Sequence, residues 1–178
     1  MSWIALDIET SGLDPATSRP LLVALALPGH AEVIRVDDWD ADRLRRFLTE
    51  LYSAFADHEF LLHNALFDLC YLARWCGAPI PERIADTMVL EQILAGGLEV
   101  DLSLAALARH HLGIELDKSV RDRFREGGEI SEVELEYARQ DAAVLHRIRQ
   151  IQERLLEHHG LGRVAELERQ VSPVFCRA

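Results

Sequence analysis

Short apolar runs separated by turn residues dominate the first third of the chain. Runs of about four to eight residues rich in Val, Ile, Leu and aromatic side chains are typical of strands. They predict four strands, at residues 3–9, 21–27, 31–36 and 59–63. The Pro28-Gly29 turn between the second and third runs is typical of a meander.

Apolar residues then recur at helical spacing, first at Leu44, Phe47, Leu48 and Leu51. Further helices are predicted at residues 65–75, 86–95, 102–112, 131–156 and from 163 onward. Asn64 and Asp86 are suitable N-caps, and Gly77 with Pro79 ends the helix that follows Asn64. The predicted elements begin with strands, continue with alternating strands and helices, and end mostly with helices. This order favours an α/β fold with a mixed sheet flanked by helices.

Composition limits the range of functions. The 178 residues suffice for one domain with a sizeable core, and 49% of them are apolar against 28% charged. The net charge of −11 argues against a broad basic surface as the means of holding nucleic acid. A nucleic-acid enzyme remains possible if divalent cations or a neighbouring domain supply positive charge at the site.

Signals for export or membrane anchoring are missing from the sequence pattern. No apolar run approaches the roughly 20 residues that cross a bilayer, and the first residues do not form a secretion signal. Cys70, Cys76 and Cys176 lack the spacing of a disulfide framework or a zinc site. We therefore expect a cytoplasmic protein without a membrane contact, and a monomer by default.

Asp7 and Glu9 lie at the end of the first predicted strand. Side chains two residues apart on a strand point to the same face, so both carboxylates project together. Ligands bind at this end of the strands in many α/β sheets. A strand end with solvated acids is the plain alternative for these two residues.

Two later segments add acidic side chains. Asp68 lies one turn into the helix after Asn64, among apolar neighbours. It either interacts favourably with the positive end of the helix dipole or belongs to a functional site. Tyr137 and Asp141 are four residues apart and so share one helical face, although a surface hydrogen bond would also explain such a pair.

Four converging carboxylates would repel one another unless cations lay between them. Oxygen ligands of this kind suit Mg²⁺ or Mn²⁺, and two such ions about 4 Å apart form the arrangement that cleaves phosphodiesters. The set Asp7, Glu9, Asp68 and Asp141 therefore predicts a two-metal site for Mg²⁺ or Mn²⁺.

Three segments carry these side chains in order: DIETSGLDP, HNALFDLCYL and YARQDAAVL. Together they resemble the three motifs of the DEDD superfamily of 3′-5′ exonucleases, most closely the proofreading domain of family A DNA polymerases. The segments DTMVLEQIL and LSLAALARHHLGIELDKS are similar both to that family and to RNase D-like exoribonucleases. The histidine subclass has its His five residues before the last Asp, where this chain has Glu136, so the resemblance is to the tyrosine subclass.

The resemblance implies a ribonuclease H-like fold with a five-stranded mixed sheet flanked by helices. Asp7, Glu9 and Asp141 would hold the metal that activates water, and Asp7 would bridge to a second metal linked to Asp68. Tyr137 would orient the attacking water. The second metal would stabilise the departing 3′ oxygen, and 5′-mononucleotides would be released.

Substrate contacts are also implied by the resemblance. Thr10 and Leu13 would lie against the terminal nucleotide, with Leu13 wedged between bases, and Asn64 would help to hold the strand. Each residue has a structural alternative: Leu13 as the anchor of the turn before Pro15, and Asn64 as a helix cap alone.

The segment after Lys118 departs from the family pattern, because VRDRFRE stands where relatives often have an acidic-Trp pair. Interpreted as a loop, it carries Arg121, Arg123 and Arg125, which either follow the phosphates of the strand or are merely solvated. The pairs His110-His111 and His158-His159 are interpreted as residues at helix ends rather than metal ligands. Phe67, Tyr71 and Trp75 are interpreted as core.

These observations lead to a functional hypothesis. Residues 1–160 are expected to form an exonuclease domain, and residues 161–178 a helix that resembles the start of a polymerase domain. The expected activity is Mg²⁺-dependent 3′-5′ hydrolysis of single-stranded DNA ends for proofreading, with a polymerase domain, in cis or in trans, as partner. The alternatives are an RNase D-like exoribonuclease and a non-catalytic domain that braces a polymerase.

Overall fold

A computed structural model describes residues 2–117 and 119–177. Lys118 lies outside the described residues. The strands are β1 (Trp3–Thr10), β2 (Pro20–Leu27), β3 (His30–Arg35), β4 (Glu59–Leu62) and β5 (Ile84–Asp86). The helices are α1 (Ala41–Ala54), α2 (Ala65–Cys76), α3 (Thr87–Ala95), α4 (Leu104–Leu112), α5 (Ser119–Glu126), α6 (Glu132–His158) and α7 (Gly162–Arg177).

The five strands form one mixed sheet in the order β3-β2-β1-β4-β5. The meander β1-β2-β3 is antiparallel, whereas β4 and β5 run parallel to β1. β1 is therefore the central strand, and its C-terminal half extends beyond the end of β4. The predicted five-stranded mixed sheet is confirmed.

Both faces of the sheet are covered by helices. On one face, Ile4, Leu6 and Ile8 of β1 pack with apolar side chains of α1 and α2. On the other face, Ala5 and the β2 residues Leu22, Ala24 and Ala26 pack with Ala138, Ala142 and Leu145 of α6. Small side chains on both surfaces allow the α6 backbone to approach the sheet closely.

Two elements differ from the predicted pattern. Residues 84–86 form β5, which is only three residues long and therefore too short to leave a strand pattern in the sequence. The segment interpreted as a loop after Lys118 forms α5, anchored by the buried side chains of Val120 and Phe124. Their spacing of four residues is helical, but the surrounding charges obscured it.

Other predictions of local structure hold. Asp86 accepts a hydrogen bond from the Met88 amide as the N-cap of α3, and Gly77 ends α2 in the left-handed conformation. His110 and His111 lie in the last turn of α4, and His158 lies in the last turn of α6. The three cysteines are free thiols.

α7 packs against the body of the domain, and Cys176 joins the apolar cluster beneath α1 and α2. Arg169 of α7 lies 3.8 Å from the buried carboxylate of Glu59, which Arg149 of α6 also approaches. No helix within the described ranges is long and apolar enough to cross a membrane. The division of the chain at residue 160 stays a prediction.

The small residues between α6 and the sheet provide a test of the fold. Ala142→Leu adds volume at a side chain with 0% exposure, so we expect a loss of about 1 to 3 kcal/mol in the free energy of unfolding. Because Asp141 is adjacent, metal affinity should fall as well. Urea unfolding and calorimetric titration with Mg²⁺ measure the two effects. Ala143→Leu, on the exposed side of α6, should change neither quantity; equal effects of both variants would contradict the proposed close packing.

Candidate active site

A cavity of about 350 Å³ lies at the C-terminal end of β1. Its lining includes all four predicted metal ligands and the predicted tyrosine, which come from three separate elements: Asp7, Glu9, Asp68, Tyr137 and Asp141. The sequence separations of these residues are large, so the fold brings them together.

β1 and α6 position the first group of acids. Asp7 and Glu9 belong to the face of β1 that packs toward α6, where Asp7 pairs with Ala24 across the ladder. A register shift follows between Glu9 and Thr10 and ends the regular pairing next to the cavity. Asp141 is buried on α6 one turn after Tyr137, and the Tyr137 hydroxyl lowers the pKa of the Asp141 carboxyl against the larger effect of burial.

Asp68 comes from α2, on the opposite face of the sheet, and only 4% of its surface is exposed. α2 begins after Asn64, which has φ 68°, a left-handed conformation that side chains other than glycine adopt rarely. Asn64 occupies the N-cap position of α2, as predicted, but its side chain makes no capping hydrogen bond. A left-handed residue directs its side chain away from the first turn of the helix.

Asp86 stabilises this conformation instead. Its Oδ1 accepts hydrogen bonds from the backbone amides of Asn64 and Met88, both at 2.9 Å, and its Oδ2 accepts one from Ala65 at 2.7 Å. One buried carboxylate thus ties the start of α2 to the start of α3. It satisfies backbone donors that would otherwise be buried without partners.

Burial raises the pKa values of all four acids, and repulsion by neighbouring carboxylates adds to this effect at Asp7, Glu9 and Asp68. Burial, followed by the charge of Asp141, raises the pKa of Asp7 to about 8. Burial raises the pKa of Asp141 to about 6, against the opposing effects of Tyr137 and Arg121. The pKa values of Glu9 and Asp68 are raised for the same reasons, with Asp7 among the repelling charges in both cases. The metal-free site therefore disfavours full ionisation.

The donor atoms fit divalent cations. Asp68 Oδ2 and Asp141 Oδ1 are buried and have no hydrogen-bond partner among the described residues. Hard oxygens with unused lone pairs, in a site that repels its own negative charge, suit Mg²⁺ or Mn²⁺. Within the described ranges, no three His, Cys, Asp or Glu side chains converge tightly enough to enclose an ion by themselves. Substrate phosphate and water would therefore have to complete the coordination, as is usual for Mg²⁺.

The predicted substrate residues lie at or beside this cavity. Asn64 lines it, while Thr10 and Leu13 line a small groove that adjoins it. Leu13 is 60% exposed, which disfavours the alternative that it anchors the turn. The Thr10 hydroxyl donates to the Gly12 carbonyl at 2.7 Å and so supports the turn that presents Leu13.

Two residues that line the cavity, Phe67 and His63, were not predicted to belong to the site, and Arg121 was named only among three arginines that either follow the phosphates of the strand or are solvated. Phe67, interpreted as core, lines both the cavity and the groove, and Arg121 also lines both. His63 faces the cavity with its Nδ1 2.9 Å from the Thr87 hydroxyl, and burial lowers its pKa. Asp86 was predicted only as an N-cap. His63 and Phe67 could have been identified from their position in the sequence, because they fall within the same short segment as Asn64 and Asp68.

Solved structures share this architecture. Brucella melitensis NrnC bound to pGG has a TM-score of 0.80 at 26% identity, covering 99% of this chain and 84% of NrnC. The catalytic core of Trypanosoma brucei RRP6 has a TM-score of 0.79 at 19% identity, covering 97% and 46% respectively. Escherichia coli RNase D, an exoribonuclease involved in structured RNA processing, has a TM-score of 0.71 at 22% identity, covering 96% and 45%.

The mixed five-stranded sheet with acids at the end of its central strand defines a ribonuclease H-like fold of the DEDD exonuclease type. A family model for the exonuclease of DNA polymerase A, described as 3′-5′ exonuclease, matches residues 1–157. The chain belongs to this family and is a hydrolytic 3′-5′ exonuclease. No curated relative matches its sequence.

Removing the Asp86 carboxylate should destabilise the start of both helices. We expect Asp86→Ala to lower the free energy of unfolding by more than about 2 kcal/mol, since it leaves several buried amides without acceptors. Chemical denaturation measures this loss. Asp40→Ala is the matched control, because Asp40 caps α1 with one exposed hydrogen bond worth about 1 kcal/mol. Equal losses in the two variants would contradict the conclusion that Asp86 holds the starts of both α2 and α3.

The raised pKa values predict how pH affects the metal-free protein. Folded Asp7, with a pKa of about 8 against an ordinary 3.8, keeps a proton that the unfolded chain has lost at intermediate pH. Stability in EDTA should therefore fall as pH rises from about 4 to about 8, and then level off. Unfolding measurements on the wild type and Asp7→Asn isolate this contribution as a difference. The variant should lose less stability over that range; parallel curves would show that Asp7 is ionised throughout.

Proposed function

We propose that the protein is a metal-dependent exonuclease that shortens single-stranded RNA from its 3′ end, in the manner of RNase D. The observation that carries the hydrolytic part is the cavity in which four acids with raised pKa values and a tyrosine converge. The preference for RNA is supported by the solved neighbours: NrnC is bound to pGG, and RNase D is described as an exoribonuclease.

The acids would hold the metal ions. Asp7, Glu9 and Asp141 would bind one ion, and Asp7 with Asp68 a second; NrnC, in a separate structure, contains bound Mg²⁺. When present, the ions would withdraw charge from the attacking water and from the departing 3′ oxygen. The role of the protein is to hold the oxygen ligands in place before substrate arrives.

Tyr137 would orient the attacking water. Burial and the nearby charge of Asp141 raise its pKa, so the hydroxyl stays protonated at neutral pH. The oxygen of the protonated hydroxyl has lone pairs that would accept a hydrogen bond from water. This arrangement fixes a direction of approach without requiring Tyr137 to ionise.

Asn64, Thr10 and Leu13 would hold the terminal nucleotides. Leu13 presents an exposed apolar side chain beside Phe67, which suits contact with the face of a base. We place the protein in the cytoplasm, a reducing compartment in which three free cysteines are stable. A monomer is the simplest state for this activity.

Single-stranded DNA is the second candidate substrate. The family model is that of the DNA polymerase A exonuclease, so removal of DNA 3′ ends beside a polymerase domain has a specific observation in its favour. A bracing role without catalysis has no comparable support, because all four acids and Tyr137 line one cavity.

The substrate and the site are tested by time-resolved digestion of 5′-labelled RNA and DNA of one sequence, with Mg²⁺, Mn²⁺ or EDTA. We expect stepwise shortening of RNA from the 3′ end that requires metal, and slower shortening of DNA. DNA degraded faster than RNA would favour the proofreading alternative. Cleavage that persists in EDTA would contradict the metal site.

Variants in the same assay test the roles of individual residues. Asp7→Ala should reduce the rate by at least about 10³-fold, and Tyr137→Phe by about 10²-fold, because a misplaced reacting group typically costs about that much. Tyr52→Phe is the control: Tyr52 is a buried tyrosine of the core beneath α1 and does not line the cavity. An unimpaired Tyr137→Phe enzyme would remove the tyrosine from the mechanism.

A further inference from the structure

α5 directs its arginines to different places. Val120 and Phe124 are buried and attach the helix to the domain. Arg121 and Arg125 are four residues apart and share one face, whereas Arg123 lies about 160 degrees around the helix axis from either of them. The three arginines that looked equivalent in the sequence are therefore not equivalent in the fold.

The surroundings of the arginines confirm this separation. Arg121 lines both the carboxylate cavity and the adjoining groove, and Arg125 lines the groove together with Thr10, Leu13 and Phe67. Arg123 instead lines a different hollow, formed with residues such as Ser11, Arg19 and Gly127. Arg121 thus stands where the groove opens into the cavity, and Arg125 stands one helical turn farther out.

Neither arginine on the groove side is held in a close, buried ion pair, although the charge of Arg121 lowers the pKa values of the four acids. Arg121 forms no ion pair among the described residues. Arg125 approaches Asp122 of the same helix at 3.7 Å, but both side chains are largely exposed and the contact is weak. In a protein with a net charge of −11, two guanidinium groups along one groove are an exception to the general surface.

We propose that Arg121 and Arg125 form a phosphate track that carries the substrate strand into the cavity. Arg121 binds the phosphate at the mouth of the cavity, and Arg125 binds the next phosphate upstream, with Leu13 and Phe67 against the bases between them. Four helical residues rise about 6 Å, so the two guanidinium groups are spaced to meet successive phosphates. Guanidinium donors suit phosphate oxygens because they bind them in a bidentate fashion.

This track rests on the proposed function, since it requires a single strand whose 3′ end occupies the cavity. It adds a specific subsite to that function, and the subsite recognises charge rather than sugar. The track should therefore serve RNA and DNA equally, which separates it from the question of substrate preference.

The test combines protein variants with a change in one phosphate. Binding of fluorescent single-stranded RNA is measured in EDTA by anisotropy, using an all-phosphodiester strand and strands with a neutral methylphosphonate at the second or the sixth linkage from the 3′ end. For the wild type, the neutral second linkage should weaken binding about 10-fold, and the neutral sixth linkage should have little effect.

Arg125→Ala should weaken binding of the normal strand about 10-fold. This variant should bind the strand with the neutral second linkage as tightly as the normal strand, because the partner of that phosphate is gone. Arg121→Ala should weaken binding while keeping this sensitivity. Each of the two substitutions should also reduce the slope of log K against log salt by about 0.7, the value for one phosphate of a single strand.

Arg123→Ala is the matched control, since it removes the same charge from the same helix on the other face. It should bind the normal strand within about 2-fold of the wild type and keep the wild-type salt slope. If Arg125→Ala and Arg123→Ala behave alike, or if Arg125→Ala keeps the full sensitivity to the second linkage, the track is wrong. A wild type that binds and cleaves neither RNA nor DNA would instead overturn the proposed function.

Discussion

Repulsion among Asp7, Glu9, Asp68 and Asp141 is the constraint on which the rest of the structure depends. Burial prevents water from screening these acids, and their pKa values rise in consequence. Side chains free to move would separate. The fold prevents this by placing them on three elements held by the core, and divalent cations between the acids would relieve the repulsion.

The acids are positioned by the packing of α6 against the sheet and by the hydrogen bonds of Asp86. Alanines on β1, β2 and α6 let the helix that carries Asp141 lie against the strand that carries Asp7. On the other face of the sheet, Asp86 binds three backbone amides and holds Asn64 in a left-handed conformation before the helix that carries Asp68. Such strain at a single residue is common at functional sites, where surrounding contacts hold the backbone in a conformation that it would otherwise rarely adopt.

Charge is distributed to match the chemistry. The protein is acidic as a whole, so nucleic acid gains little from its general surface. Cations at the carboxylates and the groove-facing arginines of α5 would confine attraction to the path of one strand end. The hydrolytic class follows from the family and the cavity, whereas the choice between RNA and DNA depends on contacts to the sugar, which the acids do not provide.

Local periodicity determined much of the site from the sequence alone. Backbone geometry places Asp7 with Glu9 on one face of a strand and Tyr137 with Asp141 on one face of a helix, whatever surrounds them. The motif order also indicated the exonuclease family and the mixed sheet.

Only the tertiary structure decided features that depend on partners distant in the chain. The cap of α2 comes from a carboxylate more than twenty residues away, β5 exists because β4 pairs with it, and α5 folds where Val120 and Phe124 find apolar partners. Sequence spacing cannot reveal these contacts, because their free energy comes from burial and hydrogen bonds formed only after the chain has folded.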